Sequence, residues 1–273
     1  MPHALSAGGR SMRTFCLATA LLVLSGSGQA QEDEAIVTDR PDFVESSDVV
    51  GAGRCQLETS IAQERSRGNG LRSRLRSTPT LLRLGVGETL ELRLETDGWL
   101  HLHEDGPEGT QRRRGMADTA LGLKWHWQDG DEASGRPGTA WLLHLDGPTG
   151  SREFRGQGWR PSLRLVAEWE LPGGWSAGLM PGLFRERDEQ GRRYWGGILA
   201  GVLGRQLGEG LRGFVELAGQ QLAPKRHGGQ VWTADTGLAW QLQPWLQLDL
   251  ALFRGLTRES PDWGWTLGLS IKR

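Results

Sequence analysis

The chain has 273 residues, a formal net charge of -1 and two cysteines, Cys16 and Cys55. The near-neutral balance offers no basic surface for nucleic acid, and two cysteines cannot build a disulfide framework. The length suits one large domain or two small ones.

Residues 1–30 read as a cleaved signal peptide. Arg13 precedes an apolar run from Phe15 to Leu24, and Gly28 and Ala30 stand at the small-residue positions a signal peptidase reads. The run is too short to span a bilayer as a helix. Cys16 leaves with this segment, so Cys55 is alone in the mature chain. Cys16 also lies at the start of the apolar run, which argues against a lipid-anchored cysteine.

Residues 31–53 contain "TDRPDFVES", a turn-rich stretch with Asp39, Arg40, Asp42 and Glu45. Pro41 stops regular structure there. The stretch reads as a periplasmic segment leading into a first strand. Its four charged residues are candidates to turn inward and narrow or plug whatever the strands enclose.

Residues 54–273 have almost no helical period and many stretches of period two. "TLELRLET" sets Leu90, Leu92 and Leu94 against Glu91, Arg93 and Glu95. "TALGLKWHW" sets Leu121, Leu123, Trp125 and Trp127 against Lys124 and His126. "LRLVAEWEL" and "WLQLDLALF" follow the same rule, with Arg164, Glu168 and Asp249 on the polar rows. About twelve strands are expected, starting near Arg54, Thr78, Thr89, Met116, Thr139, Ser162, Trp175, Tyr194, Leu211, Val231, Trp245 and Trp263. Those near Gly178 and Gly197 are weaker, because Gly, Ala and Leu occupy both rows.

The connections alternate long and charged with short and tight. "ERSRGNGLRSRLRS", "HLHEDGPEGTQRRRG" and "DGPTGSREFRGQG" are long; "GVGE", "LPGG", "LGEG" and "LQPW" are short; "QDGDEASGRPG" is long for its class. Long outer loops and short periplasmic turns are the plan of an outer-membrane barrel. The tryptophans fall beside the connections and none in mid-strand, as two interfacial girdles require. The expected fold is therefore an all-β, closed antiparallel transmembrane barrel. Such a barrel satisfies its backbone internally while half of each strand faces a polar interior.

The lumen-lining candidates are Glu58, Arg83, Glu91, Arg93, Glu95, Lys124, His126, Asp146, Arg164, Glu168, Arg212, Glu216, Asp235 and Asp249. Both signs occur in similar number. They fit an ion-pair network that stiffens the wall, a water-filled path that selects solutes, or both. Two other motifs carry less. "GGWSAG" matches G-x-S-x-G around Ser176, but no helix follows as that nucleophile turn requires. "HLHED" puts His101 and His103 on one side of an extended segment without a third or fourth metal ligand at a recognisable spacing. No catalytic residue, metal or cofactor is expected. Arg112, Arg113 and Arg114, in a long loop, suit either lipopolysaccharide phosphates or solvent.

One stretch carries a family resemblance. Thr38, Asp39, Arg40, Pro41, Asp42, Glu45 and Ser46, followed by Gly53, Gln56 and Glu58, resemble the opening T-D-R-P-D-x-T-E-S and G-x-x-Q-x-E of the outer-membrane barrel "transporter" family. That family is also labelled for the meta-pathway of phenol degradation. Val44 stands where Thr is usual. The resemblance implies a Gram-negative outer-membrane barrel that passes small solutes, aromatic compounds included, down a gradient. It also implies outer-membrane lipid, lipopolysaccharide and the barrel-assembly machinery as partners. The ending "GLSIKR" departs from the aromatic residue that machinery usually reads. The alternatives are a structural or adhesive barrel with a closed, ion-paired lumen and, less favoured by the apolar outer rows, an outer-membrane enzyme.

Overall fold

The computed structural model describes residues 35–273 apart from Asn69 and Glu189. The signal peptide expected over 1–30 lies outside the described residues. The strands are β1 (Cys55–Gly68), β2 (Leu71–Ser77), β3 (Thr80–Gly85), β4 (Leu90–Thr96), β5 (Trp99–Gly106), β6 (Gly109–Met116), β7 (Thr119–Gln128) and β8 (Gly138–Gly147). They continue with β9 (Arg160–Leu171), β10 (Trp175–Arg187), β11 (Arg193–Gly208), β12 (Leu211–Leu222), β13 (Gln230–Gln243), β14 (Leu246–Gly255) and β15 (Trp263–Lys272). All pairings are antiparallel, and β15 returns to β1, with Gln56 opposite Lys272 and Arg65 opposite Trp263. The sheet is a closed barrel.

Fifteen segments make twelve wall positions. β2 and β3 form one position, since both pair with β1 in a register that passes Thr78 and Pro79 without a slip. β4 with β5 and β6 with β7 each form another. Between β4 and β5 the register slips by one residue at Asp97 and Gly98. Gly98 supplies φ 67, and a Cβ there would sit 2.3 Å from the Thr78 carbonyl oxygen. Only glycine fits this bulge.

Two stretches expected to be loops are strands. "ERSRGNGLRSRLRS" is the end of β1 with β2, and "HLHEDGPEGTQRRRG" is the β5–β6 hairpin. Their outward rows are cationic rather than apolar, so the period-two signal that marks a half-buried strand is missing. The other long connections remain loops between strands.

The row parity separates lipid face from lumen. On β1, Leu57 and Ile61 are exposed while Gln56, Glu58 and Ser60 are buried. Leu84, Leu92, Leu94, Leu121, Leu143, Leu163, Leu217, Leu250 and Leu267 extend the exposed apolar belt around the outside. With no water to meet them in hydrocarbon, these leucines stabilise the inserted barrel, each by roughly 1.5–3 kcal/mol when fully covered. Exposed tryptophans border the belt, among them Trp125, Trp127, Trp240 and Trp245 near the short turns and Trp159 and Trp195 near the long connections, whereas Trp99, expected beside a loop, stands at the β4–β5 junction within a wall strand.

The inner wall is not uniformly polar. Charged residues line β1, β3, β4 and β7, whereas Leu142, Val166, Met180, Ile198, Ala200, Val202, Phe214 and Ala218 form one buried apolar cluster on β8 to β12. This explains the weak pattern near Gly178 and Gly197: there the inward row is apolar too.

Candidate functional site

Residues 36–50 belong to no strand, so each backbone group among them must find a partner elsewhere. They lie inside the barrel rather than outside it. Ile36 N–H donates to the Pro244 carbonyl at the short-turn end, 2.6 Å away. Beyond it the segment is held by the inner wall.

Four wall glutamates accept its backbone N–H groups. Glu58 receives Asp39 N–H, Glu216 receives those of Phe43 and Val44 at 2.8 Å each, Glu168 receives Ser47, and Glu91 receives Val50 at 3.0 Å. Wall donors meet its carbonyls. Gln56 and Arg83 donate to Val37 O, Lys124 to Ser46 O, and Arg83 to Asp48 O. His126 Nδ1 lies 2.9 Å from Ser47 O. The inner wall thereby satisfies much of the backbone of a segment that has no regular structure.

The side chains add ion pairs. Asp39 meets three cations, at 2.6 Å from Arg93, 2.8 Å from Lys124 and 3.5 Å from Arg83. Arg83, Arg93 and Lys124 outnumber the wall carboxylates Glu58 and Glu91 in this cluster by one charge, and Asp39 supplies it. Glu45 bridges Arg93 and Arg164. Arg40 reaches Asp249 at 3.1 Å and Thr266 at 2.7 Å, and Asp42 reaches Arg212 at 2.8 Å. Arg83, Glu58, Glu91 and Lys124 are all 0% exposed. Buried charges persist only when paired and hydrogen-bonded, and removing one partner of such a set costs about 3–5 kcal/mol.

The apolar side of the lumen takes the middle of the segment. Val44 belongs to the buried cluster, and Phe43 packs against it. Gly178 makes room: a Cβ there would lie 3.0 Å from Val44 Cγ1. The segment therefore matches the wall residue by residue, with Asp39 and Glu45 toward the cations and Val44 toward the apolar cluster.

Of the lumen candidates, Glu95, Asp146 and Asp235 are neither hydrogen-bonded nor ion-paired to the segment. Asp235 accepts from Thr233 at 3.1 Å. Glu95 lines a cavity of about 340 Å³ at the long-hairpin end, with Asp97, Asp118, His144, Asp146, Arg160, Arg164 and Glu186. Arg160 holds three carboxylates there, Asp118 at 2.8 Å, Glu186 at 3.4 Å and Asp146 at 3.6 Å. Asp118, in the junction between β6 and β7, also accepts N–H from Gly150 and Gly156. Burial pushes its carboxyl up, but these donors and Arg160 outweigh that and hold it below the ordinary range.

Reading by residue type missed Gln56 and Gln247, although both stand on inward rows. Gln247 donates to Thr38 Oγ1 at 2.8 Å. It also missed that the wall glutamates serve backbone N–H groups rather than wall cations alone. Ser176 faces Arg212 inside the lumen, since a Cβ on Gly204 would meet both, and β10 continues from it as a strand. His101 and His103 lie opposite Arg114 and Arg112, and among the described residues no group of three or more metal-ligating side chains is assembled.

Residues 38–272 match the family described as "Putative MetA-pathway of phenol degradation". The chain belongs to this family. The matched span begins at Thr38, so the lumenal segment is part of what the phenol-degradation family shares with this chain. Among solved structures, an outer membrane channel from Pseudomonas putida F1 is similar at a TM-score of 0.56 and 13% identity, covering 86% of this chain and 99% of that one. The β domain of the Bordetella autotransporter BrkA is similar at 0.51 and 13%, covering 80% and 99%. At these identities the likeness is one of fold, that of an outer-membrane barrel. No curated protein matches the sequence.

Proposed function

We propose that this protein is an outer-membrane channel for small solutes whose conductance is set by residues 38–46. The observation that carries this reading is the fit of Asp39, Arg40, Asp42 and Glu45 to the wall charges Arg83, Arg93, Lys124, Arg164, Arg212 and Asp249. A wall built only for rigidity would balance its own charges. This wall leaves a cation in excess where Asp39 sits and offers carboxylates to backbone N–H groups that only a threaded segment brings. The apolar belt and tryptophan girdles support a bilayer location, and the cavity beyond the segment supports a solute path interrupted at the short-turn end. Family membership and the channel from Pseudomonas putida F1 support passage of small molecules, with aromatic acids as the first class to try.

The second reading is a closed structural barrel, favoured by the full burial of Glu58, Arg83, Glu91 and Lys124. Deleting Thr38 to Ser46 separates the two. A channel gains conductance in planar bilayers and admits sugars or aromatic acids in liposome swelling. A structural barrel loses thermal stability and stays impermeable, and that outcome sinks the channel reading.

A further inference from the structure

The wall section made by β1, β2, β5 and β6 carries a second arrangement that the lumen does not use. Outward rows follow from the parity of β1, where Leu57 and Ile61 face out. Continuing that row gives Gln63, Arg65 and Arg67, and cross-strand partners share a face. Arg65 stands opposite Arg74, and Arg67 opposite Arg72. Arg74 stands opposite His103, Arg76 opposite His101, and these oppose Arg112 and Arg114. Seven guanidiniums, those of Arg65, Arg67, Arg72, Arg74, Arg76, Arg112 and Arg114, thus share one outer face with a single carboxylate, Asp105.

Like charges directly across a ladder destabilise a sheet. The protein does not neutralise these: among the described residues no ion pair joins any of the seven to a carboxylate. Asp105 is taken by His103 at 3.1 Å and Thr110 at 2.6 Å. Two shallow depressions of about 220 and 210 Å³ open between the guanidiniums, one bounded by Arg74, Arg76 and Arg112, the other by Arg65, Arg67 and Arg72. The block begins two residues beyond Ile61, Trp99 and Met116, all exposed on the lipid face. Arg65 lies over the outward Trp263 ring at 4.9 Å. Four residues of strand, from Ile61 to Arg65, rise roughly 13 Å. The cations therefore sit at headgroup depth, immediately above the hydrocarbon belt.

We propose that this face binds the phosphates of the outer-leaflet glycolipid, with the lipid's acyl chains on the leucine belt below. Guanidinium forks pair with phosphate oxygens in a bidentate manner, and a lipid presents its phosphates at a fixed height over apolar chains. Both features match the order of rows here. The assignment is independent of whether the lumenal segment controls conductance.

The test uses the full-length barrel in neutral detergent and three probes: bisphosphorylated lipid A, the same lipid after phosphatase treatment, and inorganic phosphate. Native mass spectrometry reads bound lipid. The wild type is expected to hold the bisphosphorylated lipid at least about tenfold more tightly than the dephosphorylated one. Arg74→Gln with Arg112→Gln should remove that preference. Arg74→Lys with Arg112→Lys should keep part of it, because charge remains and the fork is lost. Arg152→Gln with Arg226→Gln, the same charge change elsewhere, should leave it unchanged. Equal retention of both lipids, an equal loss in the Arg152/Arg226 variant, or displacement by inorganic phosphate at concentrations equal to the lipid's would each overturn the proposal.

Discussion

Arg93 Nη1 donates to Asp39 Oδ2 at 2.6 Å, across 54 positions of sequence, while Arg93 Nη2 donates to Glu45 at 2.6 Å. One wall guanidinium thus clamps both ends of a segment that has no strand pairing of its own. Asp39→Asn leaves Arg83, Arg93 and Lys124 without the carboxylate they share. The expected result is a loss of about 3–5 kcal/mol, read by urea unfolding, or release of the segment, read as raised conductance. The double variant Asp39→Asn with Lys124→Met should recover part of the loss. No change in either readout would remove the pair from the account.

Asp118 ties the connection between β8 and β9 to the rim through Gly150, Gly156 and Arg160. Its carboxyl is held below the ordinary range, so the unfolded chain binds the proton more readily than the folded one. The stabilisation is then fully present above the unfolded value of about 4 and is lost as pH falls through the folded value. Hydrogen exchange should show weaker protection of this connection in Asp118→Ala than in the wild type near neutral pH. That difference should close in acid. A difference that stays unchanged as the pH falls into the acid range would contradict the assignment.

Leu250 and Asp249 are neighbours on β14 with opposite destinations, the lipid and the lumen. Leu250→Arg puts a cation in hydrocarbon near mid-strand and should cost about 2–4 kcal/mol in lipid vesicles. In detergent the penalty should shrink, since the micelle deforms around the charge. Equal stability of the wild type and Leu250→Arg in vesicles would mean that the outward row does not meet lipid.

Barrel closure and the sidedness of strands such as β4, β7 and β14 are legible because leucine alternates with polar residues along them. Two regions hid their structure. In β5 and β6 the outward row is His101, His103, Arg112 and Arg114, which reads as a loop because it is polar and cationic where a membrane strand carries apolar residues. In β10 and β11 the inward row is Gly178, Met180, Ala200 and Val202, which blurs the alternation because the interior there packs Val44 rather than water. The charges of "TDRPDFVES" are visible in sequence, but their pairing is not. A carboxylate at position 39 and a guanidinium at 93 are joined only once the barrel sets strand order and register. The wall glutamates that accept backbone N–H groups leave no composition signal at all.

On the proposed channel function, the segment holding Val44 must shift for solutes to pass. A Cβ on Gly178 lies 3.9 Å from Val44 Cβ, close to the about 3.8 Å of a disulfide. Val44→Cys with Gly178→Cys, in a Cys55→Ser background, therefore locks the segment to β10 on oxidation. Single-channel recording in planar bilayers, before and after reduction, gives the most direct measurement. The account predicts no transitions to a higher conductance level while the bond is closed, and wild-type transitions once it is reduced. Equal behaviour in the two states would contradict it.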